Sequence, residues 1–365
     1  MQPKQRILNV PPYKPGKPID EVKRELGLTE VIKLASNENP FGCSEQAKEA
    51  IRAQLDTLAI YPDGGSMQLR WELADFLGVK ADQLIFGNGS DEVVQMITRA
   101  YLGEGTSTVM ATPTFPQYKS NATIDGAEVI EVPLKDGVHD LDAMAAAIKA
   151  DTRVVWVCNP NNPSGTINTE AELVAFLGKV SKDVMVVLDE AYYEYVVDAA
   201  YPQTVPMLAQ YPNLIILRTF SKIYGLAALR VGYGVASEDM ISTLNRVREP
   251  FNTSTLAQAA ARASLADQEF VVRCRDLNRQ GLKQVTDKFD EWGLSYYPSQ
   301  ANFVLVNVGI DSDEAFSKML KQGIITRSGN ALGFPGYLRI TIGNEAQNDQ
   351  MLQALANTVG VASNK

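Results

Sequence analysis

From residue 45 to about 240 the chain alternates amphipathic helical periods with short, almost purely apolar, β-branched runs, and few folds accommodate that rhythm. The runs fall at 108–111, 128–132, 153–158, 184–189, 214–218 and 231–235. A strand with one face in water alternates apolar and polar residues, whereas a strand covered on both faces has no reason to. Continuous runs joined by segments of helical length therefore predict an α/β fold with a mostly parallel central sheet flanked by helices. One connection declares its own start. Thr169-Glu170-Ala171-Glu172 is a capping box, and Leu173, Phe176, Leu177 and Val180 form the apolar stripe of a helix over 169–181.

The flanks differ in texture. Five prolines occur by position 18, so the chain opens as an irregular arm. A short helix with Val22, Leu26 and Leu28 on one side stops near Gly27, and a brief strand at 32–34 enters the polar loop 36–42. Beyond 240 come two long helical stretches at 254–266 and 268–291, apolar runs at 303–307, 323–327 and 337–343, and a helix near 312–322. A length of 365 residues at ~150 per domain suggests two to three domains. The expected division is an N-terminal arm with part of a small domain (1–40), a large domain (41–250) and a smaller α+β C-terminal domain (251–365). No low-complexity tether appears, so the junction is expected within a continuous helix.

Composition narrows the chemistry. With 34 Lys plus Arg against 43 Asp plus Glu, the net charge of −9 argues against nucleic acid or an anionic membrane as partner. The single histidine, His139, excludes multi-histidine metal centres, and its Asp136-Gly137-Val138-His139-Asp140 turn places it on the surface. Acid–base work falls to Lys, Tyr, Asp or Glu. Cys43, Cys158 and Cys274 are far apart with no Cys-x-x-Cys pair, so no disulfide framework or zinc ribbon is expected. Together with the lack of a signal-length or membrane-length apolar run, this predicts a soluble cytoplasmic protein.

Three apolar runs end in chemistry, and open α/β sheets bind ligands at the carboxyl ends of their strands. Thr219-Phe220-Ser221-Lys222 follows one run. Taken alone, Lys222 reads as a solvated lysine. Eight residues on, however, Arg230 follows the apolar stretch 225–229, where an unpaired guanidinium is costly, and is expected to meet an anion. Asp189-Glu190-Ala191-Tyr192 ends a second run, with Asp189 also readable as a cap. Asn159-Pro160-Asn161-Asn162-Pro163-Ser164-Gly165 follows a third and reads first as turn chemistry. Convergence of three such ends favours a site. Gly87-Asn88-Gly89-Ser90-Asp91-Glu92 opens a helix but fails as G-x-G-x-x-G, because Glu92 replaces the last glycine and no strand of convincing length leads in. Its exposed amides suit a phosphate monoester, with simple capping by Asp91 and Glu92 as the alternative.

In order along nearly the whole chain, these motifs resemble the class II pyridoxal-phosphate-dependent aminotransferases of fold type I. The resemblance extends to Pro12-Tyr13-Lys14-Pro15-Gly16, Ser36-Asn37-Glu38-Asn39-Pro40-Phe41-Gly42, Tyr61-Pro62-Asp63, Arg248-Glu249-Pro250-Phe251-Asn252 and Tyr337-Leu338-Arg339-Ile340-Thr341-Ile342-Gly343. It implies that residues 41–250 form the pyridoxal-phosphate-binding domain. Lys222 is then the covalent anchor and the proton-moving base, with a pKa lowered by burial and nearby positive charge. Asp189 pairs with the pyridine nitrogen, Tyr192 and Asn162 hold the phenolic oxygen, and Phe115 stacks on the ring. Ser90, Asp91, Glu92, Thr219, Ser221 and Arg230 belong to the phosphate end. Tyr61 reaches the phosphate of a second subunit, which implies a homodimer. Tyr13, Asn37, Arg327 and Arg339 contact substrate. Read by alternation alone, Arg339 is a strand arginine on the polar face with Thr341. The implied reaction passes an amino group from L-histidinol phosphate to 2-oxoglutarate. An aromatic amino acid aminotransferase, a pyridoxal-phosphate decarboxylase of a phosphorylated amino acid and a cofactor-binding regulator are the rivals, the last disfavoured by the lack of a basic DNA-binding segment.

Overall fold

The computed structural model describes residues 1–12 and 16–361. Its strands are β1 (Ile32–Lys33), β2 (Leu84–Gly87), β3 (Ser107–Thr112), β4 (Glu128–Pro133), β5 (Thr152–Cys158), β6 (Met185–Asp189), β7 (Leu214–Thr219), β8 (Gly232–Val235), β9 (Phe303–Asn307), β10 (Ile324–Ile325), β11 (Arg327–Ser328) and β12 (Tyr337–Thr341). Seven of them form the central sheet in the order β2-β8-β7-β6-β5-β3-β4. β3 to β7 are parallel, while β8 runs antiparallel to both β7 and β2, so β2 regains the common direction. The carboxyl ends of β2, β3, β5, β6 and β7 therefore share one edge.

Burial explains the continuous apolar runs. Along β5, β6 and β7, Val155, Val157, Val186, Leu188, Leu214 and Ile216 enter one hydrophobic core. Their alternating neighbours Val154, Trp156, Met185, Val187, Ile215 and Leu217 enter a second core on the opposite face. The run at 128–132 departs from this pattern. β4 is an edge strand, and it leaves Glu128 and Glu131 in solvent, paired with Lys149 at 2.7 Å and Lys119 at 2.6 Å. Charged side chains on an edge discourage further strand addition. The capping box forms as expected, with Thr169 N donating to Glu172 Oε2 at 2.7 Å, but the helix ends at Leu177 before Gly178.

A strand does lead into Gly87, contrary to the sequence reading. β2 has only four residues, and its register with β8, from Leu84 opposite Val235 to Gly87 opposite Gly232, supplies the order that its length alone does not signal. That register brings backbone against backbone: a Cβ on Gly232 would overlap the Ser90 amide nitrogen, so the site edge requires glycine there.

The remaining strands make a second layer. β11, β12 and β9 form an antiparallel sheet, and β1 pairs in parallel with β10. Val304, Val306, Leu338 and Ile340 bury one face of the three-stranded sheet in a third core with Leu282, Val285 and Phe289. The last three belong to the helix Gln268–Glu291, whose earlier residues Phe270, Val271 and Cys274 pack in the first core. One continuous helix thus belongs to both cores. The N-terminal arm lies on the large layer through Arg6, 2.7 Å from Glu104, and its helix Ile19–Leu26 ends at Gly27 with φ +66°. Loop 36–42 returns to the sheet edge, where a Cβ on Gly225 would overlap the Gly42 carbonyl oxygen.

Candidate active site

Lys222 stands three residues beyond β7. Its Nζ donates to the Ser36 carbonyl at 3.4 Å and lies 5.6 Å from the centre of the Tyr192 ring. Burial is the main cause that lowers its pKa to about 8; Arg339 and Arg230 act in the same direction, while Asp91 and Glu38 oppose them. The amine is therefore available as a base near neutrality.

Asp189 closes β6 and is 3% exposed. Its Oδ2 accepts from the Tyr118 hydroxyl at 2.5 Å and its Oδ1 from the Ala191 amide at 3.1 Å. Burial pushes its pKa up to about 6, partly offset by the Tyr118 hydrogen bond. Tyr118 is a site residue that sequence reasoning missed. It reads as one more core aromatic in the helix Gln117–Asp125, and indeed stacks on Trp156 with ring centres 4.7 Å apart. Only its hydroxyl betrays a second task.

Tyr192, Asn162 and Asn37 meet around one phenol oxygen. Asn37 Nδ2 donates to Tyr192 Oη at 2.9 Å and Asn162 Nδ2 at 3.5 Å. Asn37 is 1% exposed and bonded to the small layer as well, its amide donating to Thr341 Oγ1 at 3.0 Å. Burial raises the Tyr192 pKa above its ordinary value, with Arg339 and Asn37 opposing.

The helix Ser90–Tyr101 starts at the same edge, after Gly89 at φ +71°. Arg230, itself left-handed at φ +53°, brings its guanidinium to the Asn88 carbonyl at 3.3 Å, to Asp91 Oδ2 at 3.2 Å and to Ser221 Oγ at 3.2 Å. Thr219 Oγ1 accepts from the Ser221 amide at 3.1 Å. Ser90, Asp91, Thr219, Ser221 and Arg230 are thus gathered at one place. Glu92 is turned away, accepting from the Asn88 amide at 2.6 Å and from Asn252 at 2.8 Å, so its carboxylate fixes the loop.

Arg339 is not a solvated strand arginine. It is 7% exposed, and Nη1 donates to Asn162 Oδ1 at 2.6 Å while Nη2 donates to the Ala35 carbonyl at 2.6 Å. Thr341 on the same face is buried too, because that face of β12 is pressed against loop 36–42 and Phe303 rather than water. Arg327 lies directly opposite Arg339 in the β11–β12 register, so both cations project from one face.

Phe115 packs edge-on against Tyr118 at 5.4 Å, at the carboxyl end of β3. Tyr61 is 79% exposed and stacks on Phe251 at 4.8 Å. Tyr13 lies outside the described residues. His139, expected on the surface, is 3% exposed: its turn folds under the 159–168 loop instead of facing solvent, and its Nε2 lies 3.0 Å from Asn161 Oδ1.

Residues 29–355 match the family model for aminotransferase class I and II. The chain belongs to that family. Its full-length relatives include the histidinol-phosphate aminotransferase of Brevibacillus brevis, 74% identical over 359 residues and covering 98% of this chain and 99% of that one. The enzyme of that name from Geobacillus sp. is 61% identical over 355 residues, 97% of each chain. Among solved structures, histidinol-phosphate aminotransferase from Sinorhizobium meliloti in complex with pyridoxal-5'-phosphate superposes with a TM-score of 0.89 at 27% identity, over 99% of this chain and 98% of that one.

The donor set fits pyridoxal phosphate. The buried Asp189 carboxylate is hydrogen-bonded only by neutral groups among the described residues, which suits a protonated ring nitrogen. The Gly232–Ser90 approach, a helix N-terminus, two hydroxyls and Arg230 suit a phosphate. A lysine amine with a lowered pKa suits an aldehyde.

Proposed function

We propose that this chain is a pyridoxal-phosphate-dependent histidinol-phosphate aminotransferase. It moves the amino group of L-histidinol phosphate to 2-oxoglutarate, giving imidazole acetol phosphate and L-glutamate, in L-histidine biosynthesis. The observation that carries this reading is Arg339, buried beside Arg327, bonded to Asn162 and holding the Lys222 pKa down. Anion recognition and amine chemistry are thus coupled at one strand edge.

When bound, pyridoxal phosphate supplies an aldehyde that combines with amines and a ring that accepts the electron pair released at the substrate Cα. Lys222 would anchor it through Nζ, and its neutral amine would take the proton from the substrate Cα. With a pKa of about 8, about a quarter of the amine is neutral at pH 7.5, against about one in a thousand at an ordinary 10.5. Asp189 keeps a proton on the ring nitrogen, and Tyr118 keeps Asp189 ionised. Tyr192 and Asn162 hold the phenolic oxygen, with Asn37 orienting Tyr192. Phe115 covers the ring face. Ser90, Thr219, Ser221, Arg230 and the amides before the helix hold the phosphate. Asp91 orients Arg230, and Glu92 fixes the loop beneath. Arg327 and Arg339, with Tyr13, hold the distal anion of either substrate: phosphate in one, carboxylate in the other. Forked guanidinium groups accept both shapes.

The active form is a homodimer with Tyr61 reaching the partner's phosphate site. Support comes from the exposed apolar stretch of Leu55, Leu58, Ile60 and Tyr61 beside Phe251, a patch of the kind that marks interfaces. Residues 41–250 act as the cofactor domain, and 1–40 with 251–365 as the domain carrying Arg327 and Arg339. The protein works in the cytoplasm, which agrees with three free cysteines. No helix among the described residues is long and apolar enough to cross a membrane.

A panel of amino donors with 2-oxoglutarate tests the assignment. Histidinol phosphate is expected to give the highest kcat/KM. A large preference for phenylalanine or tyrosine, or carbon dioxide release without need of a keto acid, overturns it.

A further inference from the structure

The one histidine of the chain has no part in the chemistry above, yet it is buried at the back of the site. His139 Nε2 lies 3.0 Å from Asn161 Oδ1. The same oxygen accepts from the Thr114 hydroxyl at 2.7 Å. Asn161 Nδ2 is committed elsewhere, donating to Ser164 Oγ at 2.9 Å and toward the Pro113 carbonyl at 3.4 Å. The amide orientation is therefore fixed: Asn161 can only accept from His139, so the imidazole carries its proton on Nε2. The histidine turn is itself tied down, since Thr166 donates to the Gly137 carbonyl at 2.6 Å and Asn168 to the His139 carbonyl at 3.0 Å.

Each end of this network abuts a cofactor contact. Thr114 precedes Phe115, which covers the ring, and Asn161 precedes Asn162, which faces the Tyr192 hydroxyl and Arg339. These loops leave β3 and β5, neighbouring strands of the sheet, and Asn161 bonds to both loops and to the histidine. Burial holds the ring neutral, with a pKa lowered to about 4, so the link persists across the physiological range.

We propose that His139 is a positioning residue of the active site: through its Nε2–H bond to Asn161 it sets the separation of the loops that present Phe115 and Asn162. The inference rests on the reading of those two residues as cofactor contacts.

Two measurements test it. In the wild-type protein the ring nitrogen signals of a single histidine need no assignment, and 15N NMR is expected to show a neutral Nε2–H tautomer at pH 7. A solvated ring titrating near 6.5, or the Nδ1–H tautomer, overturns the proposal. In variants, His139→Gln can keep a donor at the Nε2 position, whereas His139→Met cannot. The apo form of His139→Met is expected to bind pyridoxal phosphate about tenfold more weakly, the size of one lost buried hydrogen bond, and to shift the visible band of the bound cofactor. His139→Gln is expected to restore both. A merely structural role lowers the melting temperature of both variants and leaves the band in place. Wild-type affinity and band in His139→Met overturn the proposal; failure of the wild type itself to bind pyridoxal phosphate overturns the functional reading instead.

Discussion

Replacing Tyr118 by Phe removes one oxygen atom and keeps the ring stacked on Trp156, so it isolates the hydrogen bond to Asp189. Both partners are buried and the oxygens are 2.5 Å apart, a short bond to a carboxylate. Hydrogen bonds to charged groups contribute about 1.5–3 kcal/mol, and a pKa unit corresponds to about 1.4 kcal/mol. The bond favours the ionised form, so its loss raises the Asp189 pKa, by about one to two units. Starting from about 6, that carries the group into the range of about 7 to 8. At pH 7 the ionised fraction in the apo protein falls from about nine-tenths to between about a half and one-tenth. Binding of pyridoxal phosphate to the apo form, titrated from pH 5 to 9, reads this directly, because in the proposed role Asp189 pairs as a carboxylate with a protonated ring nitrogen. The acid limb of the affinity profile is expected to move upward by one to two units in Tyr118→Phe. An acid limb that stays in place, with the variant folded as judged by its melting temperature, refutes the assignment of Tyr118 as the residue that keeps Asp189 charged.

Arg339, His139 and Arg218 each give a further expected outcome. Arg339→Gln removes a cation that holds the Lys222 pKa down and bonds Asn162. The limb of the rate profile where the amine becomes neutral is expected to move to higher pH, and KM for both substrates to rise about tenfold or more, read by steady-state kinetics across pH. His139 has a folded pKa of about 4, below its ordinary 6.5, so the unfolded chain takes up the proton first. Its contribution is complete above pH 6.5 and is lost as pH falls toward 4, amounting to about 2 kcal/mol between pH 7 and 5. Urea titrations at those two values are expected to show that difference against His139→Gln. Arg218 is 5% exposed and bonded to the buried Glu190 at 2.9 Å, immediately before Thr219 and after Asp189 respectively. Arg218→Met strands that carboxylate and is expected to cost about 3–5 kcal/mol in urea unfolding, with part recovered on adding Glu190→Gln.

Much of the sheet and its site edge is legible in the sequence. The unbroken apolar runs at 153–158, 184–189 and 214–218 predict strands covered on both faces, and their ends deliver Asn162, Asp189 and Lys222 to one edge. The capping box at Thr169 and the glycine stop at Gly27 are equally plain, since both act through local backbone geometry. What escaped depends on packing between segments distant in sequence. The Asp-Gly turn before His139 looks exposed, and only loop 159–168 lying over it makes the ring buried. Alternation along β12 marks Arg339 and Thr341 as polar-facing, but loop 36–42, some three hundred residues away, covers that face. β2 is too short to announce itself, and its order comes from β8. Tyr118 fits a core so well that its hydroxyl partner, 71 residues on, leaves no local trace.

In the proposed function Lys222 carries the amine chemistry of a histidinol-phosphate aminotransferase. Borohydride reduction of the protein with pyridoxal phosphate bound, followed by peptide mapping, tests it most directly. A pyridoxyl group is expected on Lys222 alone, with loss of that label when L-histidinol phosphate is added before the reductant. A label on any other lysine, or on Lys222 but indifferent to histidinol phosphate, contradicts it.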